Sequence, residues 1–249
     1  MGATINISEE HGVRYLHFGS SWVQGAMRIA RPYALELEYT RNMMAGLLLR
    51  QGVRWPRNVL HIGLGAASLV KFFHRYYPHV RQVAVEISPQ VVAAARQYFK
   101  LPGDPERLQI EIGDGVEYVA AATGNFDLIL VDGFDSHARA GALDSVPFYQ
   151  LCRGRLSDSG ILAVNLLRRS RACVLGVERL KEAFQGRVFS LPATEGGNTI
   201  AFAAQGKTVS APFPALFERA LKLKQESRLD LLPLLEKMRR AAGDEAVLF

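Results

Sequence analysis

Residues 126–131 read Phe-Asp-Leu-Ile-Leu-Val, a nearly all-apolar strand followed at once by Asp132-Gly133. Strands of this kind are buried on both faces of a parallel sheet. The run is the fourth strand in a series that begins at residue 58. Asn58–Ile62 is a short apolar strand broken by Gly63–Gly65. A helix over 67–77 follows and ends at Pro78. Gln82–Ile87 is the next strand, and Ser88-Pro89 supplies an N-cap and first helical residue for a helix over 89–99. Leu108–Ile112 is the third strand and Val116–Ala122 a short helix. After the fourth strand come a loop at 132–145, a helix over 146–155, a strand at 160–166 and a helix over 172–184. Strands at 187–191 and 198–204 close the set as an antiparallel edge. Such β-α-β alternation predicts an open α/β sheet with helices on both faces.

The flanks differ. Residues 13–18 alternate like a strand, Gly19-Ser20-Ser21 reads as a turn and 22–29 as a second strand, which predicts an N-terminal β-hairpin. Residues 36–50 fit one helix with Leu37, Met44, Leu47 and Leu48 on its apolar side. After Lys207, helices over 214–226 and 230–242 carry enough apolar surface to dock on the domain or on another subunit. The expected division is an N-terminal hairpin segment (1–35), a nucleoside-binding catalytic domain (36–206) and a C-terminal helical extension (207–249).

Composition excludes several classes. With 49% hydrophobic and 22% charged residues the chain is neither disordered nor fibrous. Cys152 and Cys173 cannot form a disulfide framework, and each falls in an expected helix as a packing residue. The six histidines lack metal-site spacing, so no metal is expected. The net charge of +6 comes from scattered arginines. Its tightest cluster, Arg168, Arg169 and Arg171, reads as a solvated surface, so no nucleic-acid partner is expected. No apolar run is long enough to span a membrane, and Glu9, Glu10 and His11 stand where a signal peptide needs apolar residues. The expectation is a soluble cytoplasmic protein. A Gly-x-Ser-x-Gly elbow and a Walker loop are both absent from the sequence.

Four elements fall at carboxyl ends of strands, where open α/β sheets bind ligands. Gly63-Leu64-Gly65 lets the backbone turn sharply, as a ligand loop or simply as a tight turn. Glu86 follows Gly65 by 21 residues, the place of a ribose-gripping carboxylate. Otherwise it is a surface residue at a strand end. In Gly113-Asp114-Gly115, Asp114 is placed to accept an adenine amino group, to cap the next helix, or to do both. Asp132-Gly133-Phe134-Asp135 sets two carboxylates three apart, suited to holding a cationic amine or taking its proton. The other reading is a polar loop with one carboxylate acting as a cap. His61 reads as packed in the core. His137, in the loop after Asp135, is either an acid–base group or a solvent-exposed residue.

Together these residues resemble the spermidine synthase family of aminopropyltransferases, from about Glu38 to Phe202. Val85-Glu86-Ile87 looks like the family's ribose-binding strand end, and Ile112-Gly113-Asp114-Gly115 like its adenine site. Residues 128–135 (Leu-Ile-Leu-Val-Asp-Gly-Phe-Asp) are similar to its Asp-Ser-Ser-Asp signature, and Glu38-Tyr39 looks like its acidic-aromatic motif. The resemblance implies a Rossmann-like S-adenosylmethionine-dependent methyltransferase-type sheet. It implies transfer of an aminopropyl group from decarboxylated S-adenosylmethionine to a polyamine or related small amine, without a metal, by a homodimer. Asp132 would be the catalytic residue. Gly63, Gly65, Glu86, Asp114 and Gly115 would bind the donor, and Asp135 and Tyr39 the acceptor.

The sequence also departs from the family's pattern. Ala66 stands where the family's glycine loop has an Asp for the donor's ammonium, and Thr40 where Gln often follows the Tyr. Residues 192–198 lack the Pro-Thr-Tyr pattern, and Ser136-His137-Ala138-Arg139 replaces a Pro-containing segment. Two other readings therefore stay open. One is a small-molecule methyltransferase using intact S-adenosylmethionine, and the other a non-catalytic homologue of the same fold.

Overall fold

The computed structural model describes residues 4–19, 22–52, 54–135, 139–167, 171–206, 208–242 and 247–249. In chain order the elements are β1 (Ile5–Glu10), β2 (Val13–Phe18), β3 (Val23–Arg28), α1 (Glu38–Met43), β4 (Asn58–Ile62), α2 (Ser68–Tyr76), β5 (Arg81–Glu86) and α3 (Pro89–Tyr98). Then come β6 (Leu108–Ile112), α4 (Gly115–Ala121), β7 (Phe126–Val131), α5 (Val146–Gly154), β8 (Leu156–Leu167), α6 (Arg171–Phe184), β9 (Val188–Ser190) and β10 (Asn198–Ala204). The chain closes with β11 (Ser210–Ala211), α7 (Phe213–Ser227), α8 (Leu232–Ala242) and β12 (Val247–Leu248).

The central sheet has seven strands in the order β6-β5-β4-β7-β8-β10-β9. Strands β6 through β8 run parallel, and β10 is antiparallel to both β8 and β9. The strand order reverses between β4 and β7. That reversal opens a crevice at their carboxyl ends, the place where such sheets receive ligands. Strand β7 shows why its sequence is nearly all apolar. Leu128 and Leu130 enter the core shared with α1, α2, α7 and α8, while Ile129 and Val131 enter the opposite core under α5 and α6. Alternate side chains face opposite layers, and both layers are dry.

Several boundaries differ from the sequence expectation. The N-terminal hairpin gains a third strand, β1, paired with β2 from Ile5↔Phe18 to Glu10↔Val13. Its largely exposed, polar residues give little signal beyond Ile5 and Ile7. The single helix expected over 36–50 is α1 followed by a 3-10 stretch, Met44–Leu48. Met43, Met44, Ala45, Leu48 and Leu49 are all buried, so this segment threads the core and has no single apolar stripe. Strand β8 starts at Leu156, ahead of Gly160, and a short 3-10 turn (Gly141–Leu143) lies inside the expected loop. The β11–β12 pair, two residues per strand, carries no sequence signal.

The tail docks on its own sheet. Phe213, Leu216, Leu223, Leu231, Leu235 and Met238 join the core beside α1 and α2. The N-terminal sheet is held to the body through Leu16 and Met27, which pack with Ala66, Ala94 and Phe99. Among the described residues no helix is long and apolar enough to cross a membrane, and no group of three His, Cys, Asp or Glu is placed to hold a metal ion.

Candidate active site

The crevice at the β4–β7 switch point is a cleft of about 910 Å³. Gly63 forms its floor with φ +93°, and a Cβ there would run into the Asp132 carbonyl. Only glycine allows the two strand ends to meet this closely. The closure is completed by Asp132 N–H donating to Ile62 O and Gly63 N–H to Val85 O, both at 2.9 Å.

Glu86, buried at the end of β5, accepts Leu64 N–H at 2.9 Å on Oε2 and Ser88 N–H at 3.0 Å on Oε1. It thereby ties the glycine loop to the N-terminus of α3. The N–H groups of Gly65 and Ile87 also favour its ionised form, so a ligand's hydroxyls share its oxygens with these backbone donors. Burial pushes its pKa up, and the backbone N–H groups pull against that shift. Beside it, Ile87 is 69% exposed and lines the cleft, an apolar surface next to the carboxylate.

Asp114 is the N-cap of α4. Its Oδ1 accepts from Val116 N–H at 2.7 Å and Glu117 N–H at 3.2 Å. The capping reading therefore holds. Both bonds use one oxygen, and the residue lines the cleft, so the ligand reading is compatible with it. Gly65 and Gly115 line the same wall.

At the end of β7, Asp132 Oδ1 accepts from Asn165 Nδ2 at 2.8 Å, and the Tyr39 hydroxyl hydrogen-bonds the same carboxylate. Burial raises the Asp132 pKa. The two hydrogen bonds oppose that rise and the charge of Glu86 adds to it. Tyr39 is raised well above its ordinary value by burial and by Asp132, so its hydroxyl keeps its proton. Asp135 is exposed on the same loop and paired with Arg139. In all, Glu38, Glu86, Asp114, Asp132, Asp135 and Glu195 bring six carboxylates to the cleft, against the single guanidinium of Arg139 among its described lining residues.

One sequence expectation changes. Ala66 does not face the cleft. It is buried under the N-terminal sheet, where a Cβ on Gly25 would lie 2.6 Å from the Ala66 Cβ. The docking of β3 thus excludes a larger side chain at the position where the family's Asp stands. His61 is packed as expected. It hydrogen-bonds Gln82 at 3.0 Å, and burial lowers its pKa to about 4. His137, Arg168 and Arg169 lie outside the described residues, as does the Arg171 side chain.

The relatives of this chain accord with that geometry. The sequence model of the spermine/spermidine synthase domain matches residues 37–166. A polyamine aminopropyltransferase of Neisseria meningitidis is 40% identical over 226 residues, which are 91% of this chain and 85% of the relative. The chain belongs to the spermine/spermidine synthase family. A probable spermidine synthase from Corynebacterium glutamicum shares the fold with a TM-score of 0.75 at 19% identity, over 98% of this chain and 92% of that one. Human methyltransferase-like protein 13, solved in complex with SAH, is 26% identical with a TM-score of 0.66, over 77% of this chain and 93% of that one. The fold is therefore shared by aminopropyltransferases and methyltransferases, and fold alone does not separate the two chemistries.

Residues that sequence reasoning missed also line the cleft. Asn165 and Asn198 hydrogen-bond each other at 2.9 Å, and the Glu195 N–H reaches Glu38 Oε2 at 3.2 Å. Asn165 had a visible signal, a lone polar residue inside the apolar run Ile161–Leu166. Asn198, at the start of β10, and Glu195, in the loop before it, had none.

Proposed function

We propose that this chain transfers an aminopropyl group from decarboxylated S-adenosylmethionine to a polyamine or related amine. The observation that carries the reading is the charge of the cleft: among its described lining residues, six carboxylates stand against one guanidinium around a partly desolvated Asp132. Such a cleft favours a cationic acceptor and gives it a base. The Neisseria relative supports the same reading by its name.

In this reading Glu86 holds the ribose hydroxyls of the donor and Asp114 its adenine amino group. Gly63, Gly65 and Gly115 let the backbone lie close to it. Tyr39 and Asp135 bind the acceptor. The acceptor nitrogen attacks the aminopropyl carbon bonded to sulfur. The carbon–sulfur bond breaks with its electron pair passing to sulfur, and methylthioadenosine leaves. The proton lost by the nitrogen goes to Asp132. Catalysis rests on positioning and on that proton transfer.

A methyltransferase reading is kept alive by Ala66, because the glycine loop offers no carboxylate to the donor's ammonium. Calorimetric titration with S-adenosylmethionine, its decarboxylated form and methylthioadenosine separates the two. Tighter binding of the decarboxylated donor, with spermidine formed when putrescine is added, is expected. Preference for intact S-adenosylmethionine would move the assignment to methyl transfer.

A further inference from the structure

Asp132 is held by a relay that starts on β10. Thr194 and Asn198 close a turn on each other. Asn198 N–H donates to Thr194 Oγ1 at 2.9 Å, and Thr194 N–H donates to Asn198 O at 2.8 Å. Asn198 Nδ2 then donates to Asn165 Oδ1 at 2.9 Å, and Asn165 Nδ2 donates to Asp132 Oδ1 at 2.8 Å. Asn165 is 4% exposed, so water does not stand in for a missing partner.

An asparagine amide can turn over, exchanging oxygen for nitrogen with almost no change in shape. In this relay one orientation is permitted. If the Asn165 amide turned, its oxygen would face the Asp132 carboxylate and its NH2 would face the NH2 of Asn198. Both contacts would be repulsive, and both would sit where little water screens them. We infer that Asn198 is a positioning residue, which locks the Asn165 amide so that it always presents a donor to Asp132. The inference rests on the reading of Asp132 as the group that takes the amine's proton. The lock fixes the direction of the carboxylate and favours its ionised form against burial. Among the described residues, the titratable groups that face Asp132 are Tyr39 from α1 and Glu86 from β5. The Asp135–Arg139 pair lies further along its own loop.

Asn198→Leu removes the donor at nearly constant volume and adds no charge. The test is a cycle of N198L, Asn165→Leu and the double variant, read by carbon-13 NMR titration of Asp132 (assigned with Asp132→Asn) and by the acid limb of the kcat–pH profile. N198L is expected to move the Asp132 titration up by about half a pH unit, a threefold change in its acid dissociation constant. N165L is expected to move it at least as far, and N198L to add nothing in the N165L background. An unmoved titration in N198L, or independent shifts that add, would overturn the relay. A role confined to stability would lower Tm and leave the titration in place, which also overturns it. If the wild-type protein transfers no aminopropyl group, the reading of Asp132 fails. The NMR titration then still decides whether Asn198 acts on it.

Discussion

Arg139 binds Asp135 twice over. Its backbone N–H donates to Oδ1 and its Nε to Oδ2, each at 2.9 Å. The carboxylate proposed to bind the acceptor is thus already engaged by a guanidinium of the same loop. An incoming ammonium has to compete with it. The side chains are 71% and 41% exposed, so the pair is a surface ion pair and contributes little to stability.

Arg139→Ala is therefore expected to leave Tm within about a degree of wild type while lowering the KM for a diamine acceptor by up to about fivefold, the usual upper worth of an exposed pair. Steady-state kinetics at low and high salt checks this. The difference between variant and wild type should shrink as salt screens the pair. A raised KM in R139A would mean that Arg139 itself holds the acceptor.

Glu86 is buried and Asp132 half-buried, and both have raised pKa values, yet their amide variants should behave in opposite ways. Asp132 keeps its proton to higher pH when folded than when unfolded. Its contribution to stability therefore falls as pH rises through that window, and at pH 7 its charge is a burden. In Asp132→Asn the new Oδ1 still accepts from Asn165, and the new NH2 can donate to the Tyr39 oxygen. The expected result is a Tm equal to or above wild type with kcat reduced about 10²- to 10⁴-fold. In Glu86→Gln an NH2 must face the N–H of Leu64 or Ser88, two donors with no acceptor between them. That mismatch costs roughly 1–3 kcal/mol. Glu86→Gln should melt earlier and lose methylthioadenosine affinity together. Differential scanning calorimetry and ligand titration on the two variants test the contrast.

The strands of the central sheet were legible because their apolar runs are set by burial on two faces, and the sequence expectation for β7 and β10 matches the structure residue for residue. Glu86, Asp114 and Asp132 were legible for a related reason, since each directly follows or ends such a strand. The polar partners were not. Asn198 acquires its meaning only through the pairing of β10 with β8, a contact between residues 33 apart in the chain. The engagement of Asp135 by Arg139 depends on loop geometry that spacing does not fix. Ala66 looked like a missing carboxylate in the cleft because the sequence does not show that β3 covers that position.

His61 supplies a prediction on acid stability. It sits in β4, edge-on to Phe73 with ring centroids 5.8 Å apart, bonded to Gln82, and its pKa is lowered to about 4. The unfolded chain takes up this proton near pH 6.5, well before the folded protein does. The stability is fully present above about pH 6.5 and is lost progressively as pH falls toward 4, on the order of 3 kcal/mol from this group. His61 Nδ1 and Gln82 Nε2 are buried without hydrogen-bond partners, so replacing both residues removes orphaned atoms as well as the titration. The double variant His61→Leu/Gln82→Leu should flatten the dependence of unfolding free energy on pH between 6.5 and 4. Urea melts across that range measure it, and an unchanged slope would place the acid lability elsewhere.

Ala66 tests how far the donor site has diverged. Restoring the family's carboxylate by Ala66→Asp would, on a reading of the loop alone, add an anchor for the ammonium of decarboxylated S-adenosylmethionine. The structure argues otherwise. Ala66 is buried with Leu16, Met27 and Phe99, and its Cβ already faces the Gly25 backbone of β3. A carboxylate there would be desolvated among apolar side chains and would force β3 away from the glycine loop. Ala66→Asp should therefore lower Tm by several degrees and leave donor affinity unchanged or weaker, because Gln24 and Val23 of the displaced strand line the cleft. Thermal melts and calorimetric titration with the decarboxylated donor decide the matter. A tighter donor with an unchanged Tm would mean that the N-terminal sheet yields at this point, and that the ammonium site is one substitution away from the family's usual form.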